Sequence, residues 1–415
     1  MSRVANTFAS LRVFNYRLYF SGSAVSQIGT WMQMVGQAWL ILRLTGSGVD
    51  LGIATALQQL PMLLVAPWGG LVADRINKRK ILLATQSASG LLALVLAVLT
   101  FTGLVQVWMV YLLALGLGMV NSVDNPTRAS FAVEMVGPEY LPNAIALNTA
   151  TFTSARTVGP SVAGFVIAAF GIGWCFLLNA VSFVFTVGAL LFMRGSELRP
   201  SSGVNRARGQ VLDGFRYVWS RPALRVPIAV MAVVGMFAFN FQVVLSLMAR
   251  YTFHGGPQTL GLLLTAQGAG ALVGALVAAS RARPTHALMF AAIVIFGTLM
   301  LVAAWAPVLL LELAIQAVMG VFMITFQASN NAMLQLRSDP QYRGRVQALF
   351  VMVFLGTTPV GGPLMGYVGQ HFGARVALAV GGGAAILAGG AAIWSLRRGS
   401  LKRQRMGPAR AEGAA

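Results

Sequence analysis

Acids, cysteines and histidines are scarce in this sequence of 415 residues, which has 10 Asp and Glu, one Cys and three His. The single thiol, Cys175, excludes an internal disulfide, and His254, His286 and His371 are too scattered to form a ligand cluster. No metal and no cofactor is expected. Charged residues of either sign make up only 10% of the chain, against 57% hydrophobic residues and a mean hydropathy of +0.74. That balance excludes two or three soluble domains. It is close to what about twelve spans of about 20 residues need to cross a hydrocarbon core.

Several chemistries are also missing. There is no Gly-x-x-x-x-Gly-Lys-Ser/Thr loop to cradle a nucleotide, no Ser-His or paired-carboxylate constellation, and no filter-like loop or charged ring. ATP drive, enzymatic turnover and ion conduction are thereby disfavoured. The start of the chain is polar and basic up to Arg17 and does not read as a cleavable signal, so the first apolar stretch is expected to remain as a helix.

What is present in excess is positive charge: 30 Lys and Arg give a net charge of +20. Long apolar runs broken by Pro, Gly and charge fall near 18–42, 51–72, 81–102, 107–127, 142–170, 173–193, 223–252, 260–280, 286–305, 308–334, 346–370 and 374–396. The class expected is an all-α integral membrane protein of 12 transmembrane helices. With the N-terminus inside, every basic residue except Arg43, Arg156, Arg250 and Arg375 falls on the cytoplasmic side. The positive-inside rule asks for that asymmetry and places both termini in the cytoplasm. Because the charges are dispersed over short loops rather than gathered on one face, no nucleic-acid partner is expected.

The longest polar connection divides the chain into an N-terminal six-helix half (1–193), a cytoplasmic linker (194–222), a C-terminal six-helix half (223–396) and a basic tail (397–415). An amphipathic helix at Val211 to Trp219 is expected to lie on the membrane surface. The halves carry weak repeats: Leu51, Gly52 and Gln58 recur as Leu260, Gly261 and Gln267, and Gly159-Pro160 recurs as Gly362-Pro363. A duplication of that kind encloses a central cavity.

The sharpest motif runs Gly69-Gly70-Leu71-Val72-Ala73-Asp74-Arg75-Ile76-Asn77-Lys78-Arg79-Lys80. Asp74 is placed to cap the next helix or to pair with a basic group, and Asn77 tolerates a left-handed turn. Between the second and third spans, Gly-x-x-x-Asp-Arg-x-x-basic-basic resembles the signature of the major facilitator superfamily. Asp124-Asn125-Pro126-x-Arg128, Leu141-Pro142-Asn143-Ala144, Gly214-Phe215-Arg216-Tyr217-Val218, Arg221-Pro222 and Tyr342-Arg343-Gly344-Arg345-Val346 look like the branch that includes enterobactin and macrolide exporters.

The resemblance implies a cytoplasmic gate in which Asp74 pairs with a neighbouring helix end, while Gly70, Arg75, Lys78 and Arg79 shape the turn. Asn77 stands where that family commonly has Gly, and the second-half counterpart is reduced to Ser280-Arg281-Ala282-Arg283. The latch is expected in one half only.

In span 5, Gly159, Pro160 and Gly164 permit a kink and close packing, and the family counterpart is the Gly-Pro motif of antiporters. Arg156 within that span should face a cavity or a carboxylate, with Asp124 the candidate partner and candidate coupling acid. A capping role for Asp124 is the alternative. Glu312 is expected at the outer edge.

Ser26, Thr30, Gln33 and Gln37 form one helical stripe. Since spans 1, 4, 7 and 10 line the cavity in the superfamily, Gln33, Gln37, Asn240 and Gln316 are the candidate lining residues; interhelical hydrogen bonding is the competing explanation. Phe237 and Phe241 either wall that cavity or face lipid. The function expected is outward movement of a bulky amphipathic small molecule by a secondary active exporter. Protons are the counter-ion, membrane lipid is the surrounding partner, and the unit is a monomer in a bacterial plasma membrane. The alternative is a facilitator or lipid-moving transporter on the same scaffold.

Overall fold

A computed structural model describes residues 8–199, 210–280 and 285–406, and the side chains of these except 66–75, 210–212, 279–280 and 396–406. The described chain is helical throughout. In order come α1 (Phe14–Thr45), α2 (Gly48–Arg75), α3 (Lys78–Phe101), α4 (Val107–Phe170), α5 (Ile172–Leu191), α6 (Gln210–Ser220), α7 (Pro222–Phe237), α8 (Phe241–Leu247), α9 (Pro257–Ser280), α10 (His286–Ala304), α11 (Leu309–Arg337), α12 (Arg343–Gly356), α13 (Thr358–His371) and α14 (Ala374–Met406). Among the described residues, ten helical segments are long and apolar enough to cross a membrane.

Helix α4 has 64 residues, and at about 1.5 Å per residue that is roughly three hydrocarbon thicknesses. It cannot be one straight span. Its single non-helical residue is Gly137, at φ 71° and ψ 174°, a backbone that glycine adopts without penalty and that suits the residue before Pro138. The polar stretch 128–141, which reads as a loop, is instead helical on both sides of this break. Its charged groups are matched inside the protein, Arg128 by Asp124 and Glu134 by Lys78, so the helix continues where hydropathy falls. Helix α1 has 32 residues and is long enough to cross, but its polar stripe dilutes its apolar character.

The helices up to Leu191 pack chiefly on one another, α1 on α5 and α4, α2 on α4 and α3 on α5. Those from Pro222 do the same, α9 on α11, α10 on α14 and α11, and α14 on α7. The two sets meet through α2 against α13 and α4 against α9. Both seams use the repeated glycines crosswise. A methyl group on Gly52 would overlap the Gly362 carbonyl, and one on Gly261 would lie 2.5 Å from the Pro160 carbonyl oxygen. The first repeat of each set therefore meets the second repeat of the other.

Hydrogen bonds between the sets gather at the end of the molecule poor in basic residues. Tyr251 Oη donates to Gly46 O (2.6 Å), Ser47 Oγ to Gln370 Oε1 (2.9 Å), and Arg250 to the Leu42 carbonyl. Nearer the middle, Ser161 and Thr265 share a 2.6 Å hydroxyl contact. We call this the sealed end and the opposite one the basic end. Large apolar side chains such as Phe165, Val184, Leu276 and Leu387 are exposed on the outside of the bundle, as a lipid-facing surface requires. The amphipathic segment expected at Val211 to Trp219 is helix α6, with exposed Phe215 and Trp219 stacked at 5.2 Å. Its buried Tyr217 stacks at 4.0 Å on Tyr342.

Candidate functional site

A cavity of about 680 Å³ lies within the first set, lined by residues between Tyr16 and Phe183. Successive turns of α1 point one stripe at it, so Ser26, Thr30, Gln33 and Gln37 share its wall. Gln33 is fixed there by Asn179, whose Nδ2 donates to Gln33 Oε1 at 2.7 Å. The lining also includes an aromatic pair, Trp31 of α1 meeting Phe152 of α4 edge to face at 5.6 Å. The Arg156 guanidinium sits 5.8 Å from the Trp31 ring centre, within the range of a cation–π contact.

Asp124 is the one acid among the described lining residues. The expectation pairs it with Arg156; the structure pairs it with Arg128, one turn along α4, at 2.8 Å. Residues at i and i+4 share a helix face, which makes this local partner the reachable one. Arg128 also donates from Nη1 to Ser23 Oγ at 3.1 Å. The other carboxylate oxygen accepts from Thr85 Oγ1 (2.6 Å) and Gln86 Nε2 (2.7 Å) of α3. Four donated hydrogen bonds thus fill the acceptor positions of the Asp124 carboxylate. It does not cap a helix end.

The signature loop lies at the basic end. Gly70, Asp74 and Arg75 fall in the last turns of α2, but their side chains lie outside the described residues, as do those of the second-half stretch 280–283. Asn77 has φ −56°, not a left-handed backbone, and is itself the cap of α3, its Oδ1 accepting from Lys80 N at 3.3 Å. The capping role considered for Asp74 thus belongs to Asn77. Arg79 donates to the last carbonyls of α5, Leu190 O (2.7 Å) and Leu191 O (2.9 Å), where the helix dipole favours a cation. Lys78 is buried and pairs at 2.6 Å with Glu134 of α4, itself nearly buried. Glu134 is absent from the sequence expectations because it lies in the stretch that reads as a loop. Its spacing from Asp124 and Arg128 does not return it to their helix face, so the sequence carried no signal for it.

Gly159 and Gly164 act in packing. A methyl group on Gly159 would collide with the Trp31 side chain, and one on Gly164 would come within 2.9 Å of Gln258 Cα across the seam. The non-helical break of α4 is at Gly137, and Pro160 stands in continuous helix.

Two expected cavity residues are elsewhere. Asn240 is buried at the join of α7 and α8 and donates from Nδ2 to Met236 O at 2.7 Å. Gln316 is fully buried, donating to Glu312 Oε1 (2.8 Å) and accepting from Gln267 Nε2 (3.3 Å). Hydrogen bonding within the protein holds both away from open space. Phe241 packs into an aromatic core around Phe239, Phe296 and Phe326, and Phe237 is half-buried against the same core. Glu312, expected at the outer edge, is completely buried.

A family model described as transmembrane secretion effector matches residues 5–410. The chain belongs to the transmembrane secretion effectors of the major facilitator superfamily. This secretion effector is 22% identical over 363 residues to the staphyloferrin A transporter of Staphylococcus aureus, covering 86% of this chain and 90% of that one. The multidrug efflux pump Tap of Mycolicibacterium fortuitum is 28% identical over 360 residues, covering 83% and 87%. The enterobactin exporter EntS of Citrobacter koseri is 23% identical over 401 residues, covering 96% and 95%.

Among solved structures, a bacterial homolog of the human lysosomal transporter Spinster, in an inward-facing and occupied conformation, superposes with a TM-score of 0.74 at 14% identity. That match covers 93% of this chain and 97% of the other. The nucleoside transporter NupG gives 0.72 at 13% identity, covering 92% and 98%. These likenesses show the fold. The secretion effector is a multi-pass transporter of the cell membrane, and its family and relatives are transporters rather than enzymes.

Proposed function

We propose that this secretion effector is a secondary active exporter that moves an amphipathic small molecule out of the cytoplasm by alternating access, in exchange for protons. The observation that carries the reading is the cavity: about 680 Å³, lined by amides and aromatics, with its one acid already neutralised by Arg128. A wall of that chemistry suits a bulky, weakly charged cargo better than a small ion. The sequence relatives support efflux, since two of them are named as exporters of a siderophore or of several drugs.

The molecule is read as 12 spans in two six-helix halves, 1–193 and 223–396, joined by the linker 194–222. Ten apolar helical segments, the Gly137 break that divides α4 into two lengths, and the length of α1 support that count. The crosswise meeting of repeated glycines supports the duplication. The positive-inside rule orients the basic end, both termini and the tail 397–415 toward the cytoplasm, so the sealed end faces out and the cavity is reached from inside. Gating falls on the signature loop, with Gly70, Asp74 and Arg75 as its movable part and the Lys78–Glu134 pair and the Arg79 cap as its anchor. Asp124 in the cavity wall and Arg156 behind Trp31 remain the coupling candidates: a proton on Asp124 releases Arg128 from its partner and changes the charge that a cargo meets.

Energised inverted vesicles containing the protein are expected to accumulate an amphipathic cargo and to lose it when an uncoupler collapses the proton gradient. Accumulation indifferent to the gradient would remove antiport and leave a facilitator or lipid-moving transporter.

A further inference from the structure

The second set of helices holds a buried acid to which the cavity gives no role. Glu312 stands in the first turn of α11 and is completely buried. Its Oε1 accepts from Gln316 Nε2 at 2.8 Å, whereas its Oε2 has no hydrogen-bond partner. The Gln316 carbonyl is taken up by Gln267 of α9, so this short chain of amides brings a single donor to the carboxyl group. An ionised carboxylate offers about four acceptor positions and is strongly disfavoured when buried with most of them empty. A neutral carboxyl fits the same space, with one oxygen accepting from Gln316 and the other carrying a proton.

We propose that Glu312 is a proton-binding site of this transporter, occupied while the sealed end is closed and emptied when that end opens to water. The inference rests on the alternating-access part of the reading above and not on the cargo. The surroundings favour such an exchange. Helices α7, α9, α10 and α12 pack against α11. Of these, α9 has no ionisable side chain, and Arg225, His286, Arg343 and Arg345 stand at the basic ends of the others.

At the sealed end, Arg375 is the cation whose field reaches Glu312, but its guanidinium donates to Ala306 O at 2.9 Å. The α11 dipole and Arg375 both favour the charged form, while burial without donors opposes it. The balance therefore turns on water access. Opening the seam shifts α9, whose Gln267 ends the amide chain on Glu312, admits water to the carboxyl and releases its proton to the water on that side; closing requires the proton back. Only an O–H bond is made or broken. By linkage, a proton bound more tightly in the closed state stabilises that state as pH falls.

The test uses the full chain in lipid nanodiscs with Cys175→Ala, which removes the one native thiol, and spin labels on Leu104→Cys and Trp305→Cys. Both positions are highly exposed at the sealed end, one in each set. The closed fraction is expected to fall as pH rises from about 5 to 9, with a limiting change in the closed-to-open ratio of about tenfold per pH unit for one proton. Glu312→Gln, which mimics the protonated shape, is expected to reduce the pH dependence by the share of this one proton, leaving only the contribution of Asp124. Glu312→Asp is expected to keep the dependence with a moved midpoint. An infrared band of a protonated carboxyl should be present in the closed state and missing in Glu312→Gln. An unchanged pH response or carboxyl band in Glu312→Gln would overturn the assignment. Loss of gradient-driven transport with the pH response intact removes antiport but leaves this site, so the two readings fail separately.

Discussion

Asp124 and Glu312 are both acids buried in apolar helices, yet they meet opposite surroundings. Asp124 in α4 collects Thr85, Gln86 and two nitrogens of Arg128 around its oxygens, whereas Glu312 in α11 has Gln316 alone. The polar residues around them divide in the same way. In the first set, Gln33 and Gln37 border open space; in the second, Gln267 and Gln316 bond to each other and to Glu312. Burial alone thus does not mark a cavity residue or a coupling acid. What separates the two is how many donors the carboxylate meets and whether a void lies beside it.

The largest effect should come from breaking the satisfied pair. Asp124→Asn leaves the half-buried Arg128 with its charge unmatched and should lower stability by up to about 3 kcal/mol, read as denaturant unfolding in detergent. Adding Arg128→Gln should restore part of that loss, which a double-mutant cycle separates from simple damage. Next is the seam between the two sets at the sealed end. Gly366→Ala places a methyl group on the Gly48 carbonyl and should cost the closed state about 1–3 kcal/mol by overpacking; the Leu104–Trp305 distance distribution should shift to the open form.

A smaller change sharpens the contrast between cavity and core. Trp31→Ala removes the Phe152 contact and the ring under Arg156, and should weaken cargo binding about tenfold, some 1.4 kcal/mol, with little loss of stability. Phe239→Ala, inside the second set's aromatic core, should do the reverse.

The smallest effect is expected where neither set holds a buried charge. Arg221 and Asp339 pair at 3.0 Å on the exposed basic end, and the hydrogen bond from Arg221 holds the Asp339 carboxyl below its ordinary value. A lowered carboxylate adds stability above the usual aspartate range, near pH 4, and loses it as pH falls through the lowered value. The melting temperature should therefore respond to Arg221→Gln slightly at pH 7 and not at all in strong acid, because such exposed pairs contribute little.

Much of this was legible in the sequence. Long apolar runs and the bias of Lys and Arg give the membrane class, the signature at 69–80 gives the family, and the stripe Ser26, Thr30, Gln33, Gln37 gives one cavity wall because helical spacing is local information. The pairing of Asp124 with Arg128 was also local, and the longer-range expectation of Arg156 obscured it. Glu134 was hidden because a matched charge reads as a loop when its partner, Lys78, is 56 positions away. Gln316 was misplaced for another reason. Whether an amide faces a void or another amide depends on the approach of α9 to α11, and nothing within either helix records that distance.

Cargo-protected labelling tests the central claim most directly. In inverted vesicles of the Cys175→Ala protein, a single cysteine at Gln33 should react with a thiol reagent from the basic side. A cargo that the vesicles accumulate should slow that reaction at the concentration that half-saturates transport, and a cysteine at Gln316 should stay unreactive throughout. Protection at Gln316 in place of Gln33, or undiminished accumulation after Gln33→Cys is fully labelled, would contradict export through the cavity of the first six helices.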